Sequence, residues 1–244
     1  MTSHPLDLFV RHLDSRARLG EEDRQAILGL PYSIEKLRTS EFALHAGEAH
    51  PSCVIILRGI AGRHRHSDRG RQIVSVHLPG EPANLQHLIL ENAEGGVQML
   101  TAGTVAAIPC DALADLAMQR PAISRAFFAS VAAEASISRE WLLNTGRRDG
   151  AQRLAHLMCE LAVRLEAQGL SEQYREGLPL KHNQLSDILG LTPVHVGRIL
   201  KQFAAKGLVS ARKRPIAVGD WKQLRQLCAF DPAYLHLSKA KAGS

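Results

Sequence analysis

Residues 184 to 200 read Gln184-Leu185-Ser186-Asp187-Ile188-Leu189-Gly190-Leu191-Thr192-Pro193-Val194-His195-Val196-Gly197-Arg198-Ile199-Leu200. Leu185, Ile188 and Leu189 recur at the spacing that puts side chains on one face of a helix. Gly190-Leu191-Thr192 interrupts that helix. Glycine tolerates the positive φ of a tight turn, Thr192 can cap a following helix, and Pro193 suits its first position. On a wheel of about 100° per residue, Val196, Ile199, Leu200 and Phe203 fall on one side of the second helix, residues 193 to 205. Val194, Arg198 and Lys201 fall nearly opposite, flanked by His195 and Gln202. One side is a core face; the other carries two cations and no carboxylate. Helix, tight turn and a helix with a free basic face make a helix-turn-helix, whose second helix enters the major groove and reads base edges from its first turns.

Downstream, Leu208-Val209-Ser210 and Ile216-Ala217-Val218 flank Ala211-Arg212-Lys213-Arg214-Pro215. Two short apolar strands around a basic turn form a wing, with Arg212, Lys213 and Arg214 suited to phosphates rather than bases. Asp220-Trp221 opens a last helix. The expected DNA-binding set is therefore Lys181, Asn183, Thr192, Val194, His195, Arg198, Lys201, Arg212, Lys213 and Arg214. Arg198 is the foremost base reader, because a guanidinium grips guanine O6 and N7 together. His195, at its flank, is expected to read bases with it, Val194 suits a thymine methyl, and Thr192 and Lys201 suit phosphates or the groove edge.

Charge supports this division. Residues 147–244 hold sixteen Lys and Arg against eight Asp and Glu, whereas residues 1–146 hold fourteen against sixteen. A basic half beside a nearly neutral one predicts a polyanion as partner. Apolar residues at 45% and charged residues at 22% describe a globular chain with a real core. No apolar run approaches the ~18 residues of a membrane span, and Met1-Thr2-Ser3-His4-Pro5-Leu6-Asp7 lacks the order of a secretion signal. We therefore expect a cytoplasmic protein without membrane contact. Cys53, Cys110, Cys159 and Cys228 are far apart in sequence and are expected as reduced thiols. No nucleophile elbow, phosphate loop or paired-carboxylate motif is recognisable, so no enzymatic activity is expected.

The amino-terminal half has another texture. Residues 6–38 read as short helices. Residues 42–108 read as short strands punctuated by Gly and Pro, an antiparallel sandwich or roll. Residues 111–118 form a helix. Residues 121–144 form a long one, rich in alanine, with Phe127, Val131 and Leu142 expected to face a second copy. Residues 145–150, Thr-Gly-Arg-Arg-Asp-Gly, are the hinge candidate, and residues 151–167 are an amphipathic helix with Leu154, Leu157, Met158, Leu161 and Leu165 on one face. Twelve histidines raise a haem or metal reading. His64 and His66 share one side of a strand, yet Arg63, Arg65 and Arg69 crowd them, and cations disfavour a metal. Neither metal nor cofactor is expected; the alternative is a ligand- or redox-sensing protein, with haem or metal held through histidines, whose DNA binding is ligand-independent or secondary.

The stretches 184–192 and 196–200 resemble the winged-helix signature of the Crp/Fnr family of bacterial transcription regulators. Gly80-Glu81 after Leu78-Pro79 is similar to the strand end of that family's cyclic-nucleotide-binding-type roll, and residues 121–153 fit its dimer helix and hinge. The resemblance implies an α+β fold: an amino-terminal antiparallel β-roll of cupin-like jelly-roll type with flanking helices, a long dimerisation helix, and a carboxy-terminal winged helix-turn-helix. The implied domains are 1–120, a sensor roll; 121–146, dimer helix and hinge; and 147–244, DNA binding. It further implies a homodimer on a pseudo-palindromic promoter site, RNA polymerase as a partner, and an effector, of unknown identity, at the roll or dimer helix. Some features depart from the family pattern. Gly80-Glu81 continues as Pro82-Ala83-Asn84 rather than the Gly-Glu-Leu of nucleotide binders, and Gly95-Gly96-Val97-Gln98-Met99-Leu100 supplies no phosphate-binding arginine. Ser138 is followed by Arg139 where catabolite activators carry adjacent hydroxyls. No cysteine precedes Cys53, unlike the clustered cysteines of oxygen sensors. Pro193 and Val194 stand where Arg or Glu is usual.

Overall fold

The computed structural model describes residues 4–68, 70–90, 94–172, 174, 177–210 and 216–237. Strand β3 (Ser52–Arg58) shows how its first half is layered. Side chains alternate across a strand, and here both faces are buried. Val54 and Ile56 join Leu37, Leu44, Val97, Met99 and Val105 inside the roll. Cys53 and Ile55 join Phe9, Leu13, Ile27 and Leu113 under helices α1 (Asp7–Arg16), α2 (Glu21–Leu28) and α3 (Cys110–Gln119).

Two antiparallel sheets build the roll. One has the order β1-β7-β3, from β1 (Ser33–Leu37), β7 (Gly103–Pro109) and β3. The other has the order β2-β6-β4-β5, from β2 (Phe42–Leu44), β4 (Ala61–Ser67), β5 (Gly70–His77) and β6 (Gly96–Met99). Gly103 admits no side chain: a Cβ there would lie 2.0 Å from the Arg58 carbonyl oxygen. The stretch 6–38, read above as helical, ends instead in a strand. β1 pairs with β7, Ile34 opposite Ala106. That partner lies some seventy residues downstream, and strand preference depends on such context more than on local pattern.

Helix α4 (Pro121–Arg147) buries Ile123, Ala126, Phe127, Ser130, Ala133, Ile137 and Asn144. Phe127, expected at a dimer face, is instead 6% exposed and stacks on Phe9 with ring centroids 6.4 Å apart. Its neighbour Phe128 is 67% exposed. Phe128, Val131, Ala135, Ser138 and Leu142 form an uncovered row at alternating spacings of three and four, the pattern of a coiled-coil seam. The helix runs through Thr145-Gly146, and the break within the expected hinge falls at Arg148-Asp149. Asp149 Oδ1 accepts the Gln152 N–H at 2.9 Å and caps α5 (Gly150–Ala167).

Helices α6 (His182–Leu189), α7 (Pro193–Ala205) and α8 (Trp221–Leu227) pack on α5, with strands β8 (Val209–Ser210) and β9 (Ala217–Val218) paired beside them. Their core does not stop at residue 147. It continues into Ile60, Ile73, Val76, Leu78 and Leu100 of the roll. A short 3-10 turn, Pro232–Leu235, then returns to α4. Among the described residues no helix is long and apolar enough to cross a membrane.

Candidate nucleic-acid interface

The turn between α6 and α7 has the predicted geometry. Gly190 adopts φ 63°, ψ 38°, the left-handed conformation that ends α6. Thr192 Oγ1 accepts the His195 N–H at 3.2 Å and caps α7, with Pro193 at its first turn. Val196, Ile199, Leu200 and Phe203 are buried, which leaves the other face of α7 to solvent. On that face Val194 is 83% exposed, and Arg198 and Lys201 are exposed. His195 is half-buried. A Cβ at Gly150 would lie 3.3 Å from its Nε2, so the imidazole leans on the first turn of α5 rather than projecting with Arg198.

Lys181 and Asn183 are exposed at the start of α6, on the turn that leads into the helix pair. Lys181 donates its backbone N–H to Gln184 Oε1 at 2.7 Å. The two strands of the wing pair as expected, Val209 opposite Val218. Arg212, Lys213 and Arg214 lie outside the described residues.

A second site lies where roll, α4 and α6 meet. An open cavity of about 660 Å³ is lined by Arg63, Gln72, Ser75, Glu134, Ser138 and Ile188, and Val131 and Leu142 of the exposed α4 row also border it. Burial pushes the Glu134 carboxyl up from its ordinary range. Arg63 is 3% exposed; Nη2 donates to the Ala83 carbonyl, and Nη1 has no partner among the described residues. The sequence reading missed this arginine, because it reaches the loop after Gly80-Glu81 from strand β4 rather than from the later segment. The Arg63-His64-Arg65-His66 alternation carries a signal for this arginine as well as for the histidines.

Glu81 is buried and already engaged. Its Oε2 accepts the Leu78 N–H at 2.9 Å, and both oxygens accept from Arg164 of α5. The guanidinium outweighs burial and brings the Glu81 pKa down to about 2. The carboxylate that resembles the family's phosphate motif is thus used within the chain. His64 and His66 share a side, with ring centroids 5.1 Å apart. Among the described residues no group of three His, Cys, Asp or Glu side chains is placed to hold a metal ion. Cys53, Cys159 and Cys228 are buried free thiols, and Cys110 is half-buried.

Residues 152–227 match the model of the Crp-like helix-turn-helix domain. Along nearly its whole length the chain is similar to the transcriptional activator protein Anr of Pseudomonas protegens, with 27% identity over 230 residues, 93% of this chain and 92% of that protein. It is 25% identical over 238 residues to an anaerobic regulatory protein of Haemophilus influenzae, covering 97% and 92%. Among solved structures, FixK2 from Bradyrhizobium japonicum superposes with a TM-score of 0.74 at 22% identity, over 83% of this chain and 100% of that one. The helix-turn-helix is therefore not an isolated likeness: residues 152–227 are a Crp-like helix-turn-helix domain, the chain as a whole is similar to named transcription regulators, and the protein is a DNA-binding transcription regulator.

Proposed function

We propose that the protein acts as a homodimer on a pseudo-palindromic promoter site in the cytoplasm, paired along α4, with one reading helix in each of two successive major grooves. The observation that carries this reading is the uncovered row of Phe128, Val131, Ala135, Ser138 and Leu142. Its spacing suits a second copy of the same helix, and a two-fold pair presents two α7 helices. Half-site centres then lie about one helical turn, ~10–11 bp, apart. Arg198 reads a base, Val194 meets a thymine methyl, Lys181, Asn183, Thr192 and Lys201 contact backbone or groove edge, and His195 braces the first turn of α7 against α5. The wing cations Arg212, Lys213 and Arg214 add affinity independent of sequence. Activity is gated by an effector in the cavity between roll and α4, whose wall includes Ile188 of the helix-turn-helix. RNA polymerase is the partner implied by relatives named as activators.

Selection from random DNA, followed by titration at several salt concentrations, tests the assignment. Arg198→Ala is expected to relax specificity at one position per half-site, a loss of about 1–3 kcal/mol of discrimination. Lys201→Ala is expected to weaken all sequences alike and to flatten the salt slope by about one. An unchanged selected motif and affinity in Arg198→Ala would show that α7 does not read the bases.

A further inference from the structure

Arg164 lies near the far end of α5, fourteen residues beyond Gly150, or ~21 Å along the helix. It is 5% exposed, and its guanidinium joins separate parts of the chain. Nε donates to Glu81 Oε1 at 3.1 Å, and Nη2 to Glu81 Oε2 at 2.5 Å and to the Val76 carbonyl at 2.6 Å, all in the roll. Nη1 donates to Glu160 Oε1 at 2.8 Å. The other oxygen of Glu160 accepts from Trp141 Nε1 of α4 and from Tyr234 Oη of the carboxy-terminal turn, both at 2.9 Å. Roll, α4, α5 and the carboxy-terminal turn thus meet at the Arg164–Glu160 pair.

The near end of α5 is held separately. Arg153 of α5 donates to the Thr145 and Arg148 carbonyls at the end of α4, at 2.6 and 3.0 Å. A helix held at one end pivots; a helix held at two points ~20 Å apart does not. Helix α7 packs on α5, so the angle of α5 to α4 sets where each reading helix points.

We propose that Arg164 and Glu81 are a positioning pair that locks the DNA-binding domain at one angle to the dimer helix and so sets which half-site spacing the regulator accepts. This rests on the homodimer reading above. Inserting one base pair moves a half-site by ~3.4 Å along the duplex and turns it by ~35°. A domain pinned at both ends of α5 cannot follow that shift; one loosened at Arg164 keeps its contacts with strand β5 but gains freedom to tilt about Arg148-Asp149. The pair thereby confers specificity of spacing without touching DNA.

The test compares full-length wild type, Arg164→Met and Glu81→Gln. Each is titrated against a lone half-site and against palindromes whose spacing is varied by one and two base pairs, with sedimentation and thermal unfolding alongside. Wild type is expected to favour one spacing by about tenfold or more, equivalent to ~1.4 kcal/mol. Both variants should stay dimeric and keep their half-site affinity, while the preference falls to about threefold or less. Glu81→Gln keeps size and one acceptor, so it decides the matter if Arg164→Met does not fold. Retention of the wild-type preference in a folded variant, or a loss of half-site binding in step with stability, overturns the proposal and assigns the pair to stability alone. A wild type that sediments as a monomer with and without DNA overturns the dimer reading instead, and the spacing claim with it.

Discussion

Arg71, on strand β5 of the roll, places Nη2 2.5 Å and Nε 3.0 Å from the same oxygen, Oδ2 of Asp187, on the first helix of the helix-turn-helix. Beside it, Gln72 Nε2 donates to the Ile188 carbonyl at 3.0 Å. One strand therefore borders the cavity and also holds the DNA-binding domain. The side chains of the ion pair are 32% and 23% exposed, so solvent screens it. A double-mutant cycle of Arg71→Ala and Asp187→Ala should give a coupling of about 0.5–1 kcal/mol that shrinks in high salt. A coupling of several kcal/mol would mean that this contact, rather than the buried Arg164 pair, is the main tie.

Adjacent phenylalanines on α4 should behave in opposite ways. Phe127→Ala removes a core side chain and is expected to cost about 3–5 kcal/mol of stability. Phe128→Glu or Val131→Glu should leave the protomer folded but yield monomers, because a dimer would bury like charges against each other. Sedimentation and urea unfolding of the variants read both effects. A monomeric wild type at tens of micromolar would count against the seam.

Gly190 supplies the left-handed turn, and a Cβ there would meet nothing closer than 3.6 Å. The expected cost of Gly190→Ala is thus conformational strain alone, about 1–2 kcal/mol. Gly190→Asn should cost less, since asparagine visits that region more readily. Urea midpoints rank the three proteins, and equal midpoints would refute the argument.

Burial lowers the pKa of His12 and of His77 to about 3, and that of His156 to about 4. An unfolded chain binds these protons from about pH 6.5 downward while the folded one does not. Their stabilisation is therefore full above that pH and is lost as the pH falls toward the folded values. His77→Gln removes one such group. The stability difference between wild type and variant should shrink by up to about 1.4 kcal/mol per unit as the pH falls from 6.5 to 5. A difference independent of pH would mean that His77 does not titrate this way.

Cyclic AMP is expected not to bind at micromolar concentration. Glu81 is held by Arg164, and the segment after Gly95 offers no arginine for a cyclic phosphate. Calorimetry giving a Kd near 1 µM, about −8 kcal/mol, would overturn this.

The helix-turn-helix was legible because its signals are local. The spacing of Leu185, Ile188 and Leu189, the turn at Gly190, the cap at Thr192 and the two-faced pattern of α7 all act within a few residues, and each appears in the structure where the sequence placed it. The same holds for α1, α5 and the cap at Asp220. Only the tertiary structure decided which relations hold across long distances. It put Ser33–Leu37 into a sheet, since strand β7 supplies the partner. It turned Phe127 inward and Phe128 outward, since α1 and α3 cover one side of α4 and adjacent helical residues point about 100° apart. It joined Glu81 to Arg164, eighty-three residues away, and brought Arg63 beside Ala83. Periodicity tells a side chain which face of its own element it occupies; which other element covers that face depends on how the whole chain closes its core.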